Sequence, residues 1–328
     1  MRFGTVTLIG RSNVGKSTFL NTVLGEPLAI TSPLPQTTRD VLLGVAQHDD
    51  AQIAFLDTPG LHQPKSELGR RMNLAALEAA RTTDCMLFMT DTRRLTTKET
   101  GIAERVADED RSLLGLLPKL GRAPVVLVIN KIDLLRDKRQ LIPLIDEFQK
   151  YAEFASVVPI SVTQSDGLER VLGAIAGLLP EGPPGYDADT LTDRPARYFV
   201  CEFIREQVLN LAAREVPHAV AVSVDEIDEN EHDFRASATI HVQKQGQRAI
   251  LVGSGGSVIK NIGIGARKRL GDLLGKRVHL RLFVRITPRW KDVPRQLNEL
   301  GYEAVASRET AGIAHGHGWS NVHKRGRQ

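Results

Sequence analysis

The feature that most constrains this chain is a glycine-rich octapeptide close to its start. "GRSNVGKS", residues 10–17, follows the apolar run "TVTLI" and leads into the helix-forming stretch "STFLNTVL". Glycines let the backbone turn successive N–H groups toward phosphate oxygens, and the N-terminus of the next helix adds partial positive charge. A strand, a phosphate-binding loop and a helix are therefore predicted in that order. Nucleotide contacts are expected from Gly10, Arg11, Ser12, Asn13, Val14, Gly15, Lys16, Ser17 and Thr18.

Short apolar runs alternate with helix-forming stretches through the first half of the chain. The runs are "VLLGVAQ", "IAFLD", "CMLFMTD", "VVLVINK" and "SVVPIS". Parallel strands joined by helices produce this pattern, so we predict an α/β fold with a mostly parallel, doubly wound sheet. The length of 328 residues leaves room for a second domain.

A stretch rich in Pro, Gly and Asp interrupts this pattern and predicts a linker. We assign the nucleotide-binding domain to 1–180, the linker to 181–195, a smaller α+β domain to 196–302 and a polar, disordered tail to 303–328. The periodicities after the linker predict the order αββααβ, with a glycine loop between the second and third helices. Three tail histidines, His315, His317 and His323, leave metal binding as an alternative to disorder.

Charge is segregated in the second half of the chain. Up to residue 180 there are 21 basic and 21 acidic residues, which leaves 22 and 18 beyond it. Residues 244–295 contain 13 basic and two acidic side chains, whereas 225–233 contains six acidic and no basic ones. Such segregation favours a polyanionic partner, such as nucleic acid, over a merely solvated face.

The number of cysteines and the lengths of the apolar runs indicate the cellular compartment of the protein. Cys85 and Cys201 are too few and too far apart for a disulfide framework or a CxxC metal site. No apolar run reaches the roughly 20 residues needed to cross a bilayer, and the first ten residues lack the pattern of a signal peptide. On these grounds we expect a cytoplasmic protein.

A second motif, "NKID" at residues 130–133, predicts the base of the nucleotide. It follows the apolar run "VVLVI". The carboxylate of Asp133 can accept both the N1–H and the 2-amino group of guanine, whereas adenine has an acceptor at N1 and no 2-amino group. Sites built on such hydrogen bonds discriminate by about 10⁴ or more, so guanine is the predicted base. Its contacts are expected from Asn130, Lys131, Asp133 and the backbone N–H groups of Ser161 and Val162.

A third motif, "DTPG" at residues 57–60, predicts where the metal and the γ-phosphate lie. Asp57 would hold Mg²⁺ through water, together with the Ser17 hydroxyl, while Lys16 would bridge the β- and γ-phosphates. Thr38, in "PQTTRD", would close on the metal only when the triphosphate is bound. The expected metal ligands are Ser17, Thr38 and Asp57. The expected catalytic contacts are Lys16, Thr38 and Gly60, and Asp57, Thr58, Pro59 and Gly60 complete the nucleotide contacts.

Together, "GRSNVGKSTFLN", "ITSPLPQTTRD", "DTPGLH" and "NKID" resemble the Era family of GTPases. The resemblance extends to "TDRPARYFVCEFIREQVL" and "ILVGSGGSVIKNIGIGARKRLGDLLGKRVHLRLFVRI", and so reaches about Tyr302. It implies a bacterial ribosome-assembly GTPase with a P-loop GTPase domain. It also implies a type II KH domain that binds the 3′ region of 16S ribosomal RNA.

"GSGG", residues 253–256, fits the clamp of a KH domain better than a dinucleotide-binding loop. A GxGxxG pattern would need glycine where Val258 stands. A GxxG between two helices lets a nucleic-acid backbone approach closely, so the expected polyanion is single-stranded RNA. The expected clamp contacts are Gly253, Ser254, Gly255 and Gly256. By resemblance, Ile259, Ile262 and Ile264 would pack the helix and shape the base groove, and Lys260, Arg267, Lys268 and Arg269 would as a group meet phosphates.

Leu61 directly follows "DTPG", where many GTPases have the glutamine that orients the attacking water. An apolar side chain cannot hold that water. Slow intrinsic hydrolysis is therefore expected, with the water positioned by Thr38 backbone groups or by a partner. By resemblance, Asn13 would bind a K⁺ ion near the phosphates; capping the loop internally is its alternative role.

Three functions remain open from the sequence. The first is a GTP-hydrolysing switch whose nucleotide state gates RNA binding during maturation of the small ribosomal subunit. The second is a GTP-dependent protein adaptor whose KH-like domain does not bind RNA, and the third is an ATP-using metabolic kinase, which Asp133 disfavours. The first implies GTP or GDP, 16S ribosomal RNA and the 30S subunit as partners, Mg²⁺ and K⁺ as cofactors, a monomer, and peripheral contact with the inner face of the cell membrane.

Overall fold

The computed structural model describes residues 1–95, 106–212 and 216–304, so the three tail histidines lie outside the described residues. By its contacts the chain divides into two units. The first comprises residues 1–29, 38–63 and 72–192, and the second comprises 30–37, 64–71 and the chain from 193 onward. This division differs from the sequence-based boundaries at two short early segments and at the linker.

Most of the expected linker packs against the first unit because Gln52 and Val45 hold it there. The side-chain oxygen of Gln52 accepts the N–H groups of Gly185 and Tyr186, both at 2.9 Å. Farther along, the Val45 N–H donates to the carbonyl of Leu191 at 2.9 Å. The segment up to residue 192 is therefore part of the first unit.

The sheet of the first unit has the strand order β2-β3-β1-β4-β5-β6. Only the β2–β3 pair is antiparallel, which confirms the mostly parallel, doubly wound prediction. Since parallel strands end at the same edge, the loops after β1, β3, β4 and β5 meet there. The strands are β1 (Arg2–Ile9), β2 (Leu42–His48), β3 (Ala51–Asp57), β4 (Cys85–Asp91), β5 (Val125–Asn130) and β6 (Ser156–Pro159).

Helices cover this sheet because its strands are apolar on both faces. Every residue of β4 and β5 is buried, as expected for central parallel strands. The described helices up to residue 192 are α1 (Lys16–Leu24), α2 (Glu67–Arg81), α3 (Asp108–Leu114), α4 (Leu117–Leu120), α5 (Leu141–Gln149) and α6 (Leu168–Leu178).

The second unit has a three-stranded sheet with the order β7-β8-β9. β7 and β8 are antiparallel, whereas β8 and β9 are parallel. The predicted order αββααβ is confirmed, with two additional short helices, α8 and α11. The elements are α7 (Ala196–Leu211), α8 (Val216–Ala219), β7 (Ala221–Glu229), β8 (Asp233–Val242), α9 (Gln245–Val252), α10 (Ser257–Leu274), β9 (Arg277–Ile286) and α11 (Pro294–Glu299).

The core of the second unit forms between its helices and one face of its sheet. Ile262, Ala266 and Leu270 recur every four residues on α10 and are completely buried. In the described ranges, no single helix is long and apolar enough to cross a membrane. Only α9 and residues 254–274 pass that test together, as a pair bent by 45°, on length and composition alone.

Candidate nucleotide site and glycine clamp

The loop at residues 10–17 connects β1 to α1 at the carboxyl edge of the sheet. Gly10 has φ +152° and Gly15 has φ +109°, in the region that favours glycine. A Cβ at Gly10 would collide with the Met89 carbonyl, and one at Gly15 with the Asn130 amide. Both glycines are therefore required by backbone conformation and by space.

Lys16 lies inside this loop, where the sequence predicts phosphate contact. Its Nζ donates to the carbonyls of Gly10 at 2.9 Å and of Arg11 at 3.1 Å. Burial lowers the pKa of Lys16 to about 8. A bound phosphate would supply the negative charge that stabilises the ammonium form.

Three predicted metal ligands converge beside Lys16. Ser17 Oγ donates to Asp57 Oδ2 at 2.6 Å and lies 2.9 Å from Thr38 Oγ1. Asp57 Oδ1 is buried and has no hydrogen-bond partner among the described residues. Burial also raises the pKa of Asp57, as expected for a carboxylate without a full set of partners. An unsatisfied carboxylate oxygen next to two hydroxyl groups fits Mg²⁺, which prefers hard oxygen ligands.

The "DTPG" segment packs directly against the phosphate loop. A Cβ added to Gly60 would lie 2.6 Å from Ser12 Oγ, so glycine is required for this approach. Thr58 Oγ1 donates to the Leu8 carbonyl at 2.6 Å, which fixes the start of the segment to β1. Leu61 is only 8% exposed and belongs to the apolar core, so it does not position water.

Asn130 connects the predicted base loop, residues 130–133, to the phosphate loop, residues 10–17. Its Nδ2 donates to the Val14 carbonyl at 2.8 Å, and its Oδ1 accepts the Lys131 N–H at 2.7 Å. Asp133 is exposed, and its Oδ1 accepts a hydrogen bond from Ser161 Oγ at 2.6 Å. This carboxylate is therefore oriented by a neighbouring hydroxyl and open to a base.

The two backbone N–H groups predicted to contact guanine make hydrogen bonds within the protein. The Ser161 N–H donates to the Asp166 carbonyl at 3.0 Å, and the Val162 N–H donates to Asn130 Oδ1 at 3.1 Å. Both donors are thus used within the protein. The hydroxyl group of Ser161 also lies at the predicted base site, next to Asp133.

Asp91 and Asp110, which bind Arg11 of the phosphate loop, were not predicted from the sequence. Arg11 donates to Asp91 Oδ1 at 2.7 Å and to Asp110 Oδ2 at 3.1 Å, so its side chain is used in these two pairs. Although burial raises the pKa of Asp91, the cations Arg11, Lys131 and Arg93 hold it below its ordinary value. The signal in the sequence that could have indicated Asp91 is an acidic residue at the end of a strand that lies between β1 and β5.

The glycine clamp connects α9 to α10 in the second unit. Gly253 has φ +72°, and a Cβ there would lie 2.5 Å from the Val258 side chain. Gly255 also has positive φ, but a Cβ there would meet open space. Ser254 and Gly255 are exposed, as are three of the four predicted phosphate contacts on α10, Lys260, Arg267 and Lys268.

Two further predicted RNA contacts have other surroundings. Arg269 Nε lies 3.0 Å from Glu206 Oε2, and its guanidinium lies 4.4 Å from the centre of the Phe203 ring. Arg269 therefore stabilises the packing of α10 on α7. Ile262 is completely buried and cannot line a groove, whereas Ile264 is 46% exposed and Ile259 is half-buried.

Family models and curated relatives match both units. Residues 5–131 match the model described as 50S ribosome-binding GTPase, and residues 215–291 match the KH domain. The chain is 41% identical over 301 residues to GTPase Era of Lactobacillus helveticus (strain DPC 4571), which covers 92% of this chain and 96% of that protein. The chain belongs to the Era family. GTPase Era of Lacticaseibacillus paracasei is 43% identical over 300 residues, covering 91% and 96%.

Solved structures of Era proteins share the whole fold. An Aquifex aeolicus Era variant bound to GDP and AlF₄⁻ matches with a TM-score of 0.85 and 35% identity, covering 92% of this chain and 100% of that one. Era in complex with MgGDPNP and nucleotides 1506–1542 of 16S ribosomal RNA matches with a TM-score of 0.84 and 35% identity, covering 92% and 99%. The predicted Era resemblance, the GTPase–KH fold and the GTPase activity are thus confirmed.

Proposed function

We propose that this Era-family GTPase is a nucleotide-dependent switch that binds 16S ribosomal RNA through its KH domain and assists assembly of the 30S subunit. The observation that carries the proposal is the similarity, over 92% of the chain, to an Era in complex with MgGDPNP and 16S nucleotides. The exposed clamp and the basic residues of α10 support it because single-stranded RNA needs close backbone approach and cations.

In the first unit, each predicted contact has a distinct chemical role. The loop N–H groups and Lys16 bind the phosphates, and Asp133 selects guanine by accepting its N1–H and 2-amino group. Ser17, Thr38 and Asp57 would hold Mg²⁺, which supplies charge neutralisation at the phosphates when bound. Thr38 and Gly60 are the two groups expected to change position with the γ-phosphate.

Slow hydrolysis and a potassium ion beside Asn13 belong to the same proposal. The burial of Leu61 supports them, because no glutamine is available at that position to orient water. Asn13 has φ +65° in the loop, and its carbonyl accepts from Lys131 Nζ at 2.7 Å. Equal turnover in K⁺ and Na⁺ at matched ionic strength would exclude the potassium role.

The test of RNA recognition uses the full chain and an RNA equivalent to nucleotides 1506–1542. Affinity is measured by fluorescence anisotropy, with a GTP analogue and with GDP, over a range of salt concentrations. The proposal expects a steep salt dependence, with a slope of about −0.7 for each phosphate contacted. A flat dependence would favour the protein adaptor, and displacement of GTP by equimolar ATP would favour the metabolic kinase.

The cellular setting of the protein also remains a proposal. It comprises binding to the 30S subunit, a monomeric state, a cytoplasmic location and peripheral contact with the inner face of the membrane. Co-sedimentation with 30S subunits, fractionation of cell extracts and sedimentation of the purified protein test binding, location and monomeric state separately. Recovery only with polysomes or with integral membrane proteins would contradict them.

A further inference from the structure

Strand β9 carries a row of outward-facing side chains that neither the nucleotide site nor the glycine clamp uses. Side chains alternate between the faces of a strand, so Arg281, Phe283 and Arg285 project from the same face. Solvent exposure alternates in the same way along β9. Phe283 is 55% exposed, although a phenyl ring is usually buried in a folded protein.

This row lies on the face of the sheet that points away from α10. The neighbouring residue Leu282 faces α10, since a Cβ added to Gly263 on that helix would lie 3.6 Å from it. Phe283 therefore projects from the opposite face. β9 is an edge strand, and its partner strand β8 places Thr239 next to Phe283.

The cations on this face fall into two groups. Arg235 on β8 lies 3.5 Å from Asp228, so its charge is balanced locally. Arg281 and Arg285, by contrast, have no ion pair within the ranges that the structure describes. The aromatic ring is thus flanked on its own strand by two arginines whose charge is available to an external anion.

A cavity of about 430 Å³ opens beside the phenyl ring. It is lined by Asp225, Thr239, Phe283, Val284 and Arg285. Thr239 Oγ1 donates to Asp225 Oδ2 at 2.8 Å and so fixes this carboxylate at the cavity wall. An ionised carboxylate accepts N–H groups, which the edges of nucleobases provide.

We infer that the Arg281–Phe283–Arg285 row is a second RNA subsite, in which an unpaired base stacks on Phe283 while both arginines contact flanking phosphates. An aromatic ring between cations matches the alternation of bases and phosphates along single-stranded RNA. Because Phe283 faces away from α10, its base position is distinct from the clamp at Gly253, and Arg281 lines one cavity with Arg267 of α10. The inference depends on the proposed RNA-binding function.

The test compares two fluorescently labelled oligouridylates with the full-length chain. One has about five nucleotides, enough for the clamp of a KH domain, and the other has about twenty. Phe283→Ala should weaken binding of the longer RNA about 10-fold and leave the shorter one unchanged. Arg281→Gln and Arg285→Gln should each reduce the salt slope for the longer RNA by about 0.7.

Matched control variants distinguish this effect from the loss of any exposed side chain. Leu211→Ala removes another exposed apolar side chain from the second unit, and Arg295→Gln removes an exposed cation that is paired with Glu299. Both variants should bind both RNAs like the unmodified chain. Thermal unfolding checks that Phe283→Ala keeps the fold, as expected for an exposed residue.

Each outcome distinguishes the subsite from the proposed function. If Gly253→Ala weakens both RNAs while Phe283→Ala weakens neither, the subsite is wrong and RNA binding by the KH domain stands. If the unmodified chain binds neither oligouridylate nor the RNA equivalent to nucleotides 1506–1542, both proposals fail. If Phe283→Ala dissolves a dimer seen by sedimentation and RNA affinity stays constant, the face binds a second copy of the chain and the subsite is wrong.

Discussion

Lys131 Nζ lies 2.9 Å from Asp91 Oδ2 and 2.7 Å from the carbonyl of Asn13. One side chain of the base loop therefore contacts both the end of β4 and the phosphate loop. Arg11 reaches the other oxygen of the same carboxylate. Asp91 consequently connects the predicted base loop with the predicted phosphate loop.

Asp91→Asn should destabilise the first unit because it leaves Lys131 without its charged partner and Arg11 with Asp110 alone. The side chain of Asp91 is completely buried, and removing one member of a buried ion pair costs about 3 kcal/mol. Urea denaturation of the nucleotide-free protein measures this loss. The control is Asp146→Asn, which replaces an exposed carboxylate on α5. This variant should change the free energy of unfolding by less than about 0.5 kcal/mol. Equal stability of the two variants would contradict the structural role of Asp91.

Asp133→Asn should change the base that the protein prefers. An amide cannot accept both the N1–H and the 2-amino group of guanine, but it can donate to the 2-oxo group of xanthine. GTP affinity is expected to fall by about 100-fold or more, and xanthosine triphosphate should bind better than GTP. Competition binding against labelled GDP measures the preference, with Asp137→Asn as a nearby, partly exposed control. Retention of the GTP preference would disprove the base assignment.

Nucleotide binding should be accompanied by proton uptake above pH 8. Since burial lowers the pKa of Lys16 to about 8, a large share of this amine is neutral at pH 8.5 in the free protein. Bound phosphates favour the charged form, so GDP binding draws a proton from the buffer, whereas at pH 6.5 the amine is charged in both states. Calorimetry in two buffers of different ionisation enthalpy measures this uptake. Identical heats in both buffers at pH 8.5 would rule it out.

Gly253→Ala should destabilise the second unit more than Gly255→Ala. Both positions have positive φ, which costs about 1 kcal/mol for a residue with a Cβ. Only at Gly253 would that Cβ also approach the Val258 side chain, to 2.5 Å, so the total loss there is expected to be about 3 kcal/mol. Thermal unfolding compares the stabilities of the two variants. RNA binding should also be weaker in the Gly253→Ala variant. Equal melting temperatures would mean that the clamp relaxes around the new methyl group.

The parts of the site that local spacing determines could be predicted from the sequence. A loop between a strand and a helix, and two motifs at the ends of parallel strands, must meet at one edge of the sheet. The convergence of Ser17, Thr38 and Asp57 follows from that topology. The buried positions Ile262, Ala266 and Leu270 follow from helical periodicity.

Side-chain partners that are distant in sequence could not be predicted. Val162 donates to Asn130, which is 32 residues away, and Arg11 binds Asp110, which is 99 residues away. In the sequence Arg269 lies among the exposed cations of α10, yet its guanidinium group packs on Phe203 of α7. Periodicity gives the face of a helix but not the neighbour that a long, flexible side chain selects.

The hydrogen bond from Val45 to Leu191 has a practical consequence for truncation. β2 is the outer strand of its sheet, and an open strand edge with unsatisfied N–H groups promotes aggregation. The connecting segment shields part of that edge. A recombinant GTPase domain that stops at residue 180 would expose this strand edge and tend to precipitate. One that continues through Thr192 keeps the segment that shields the edge.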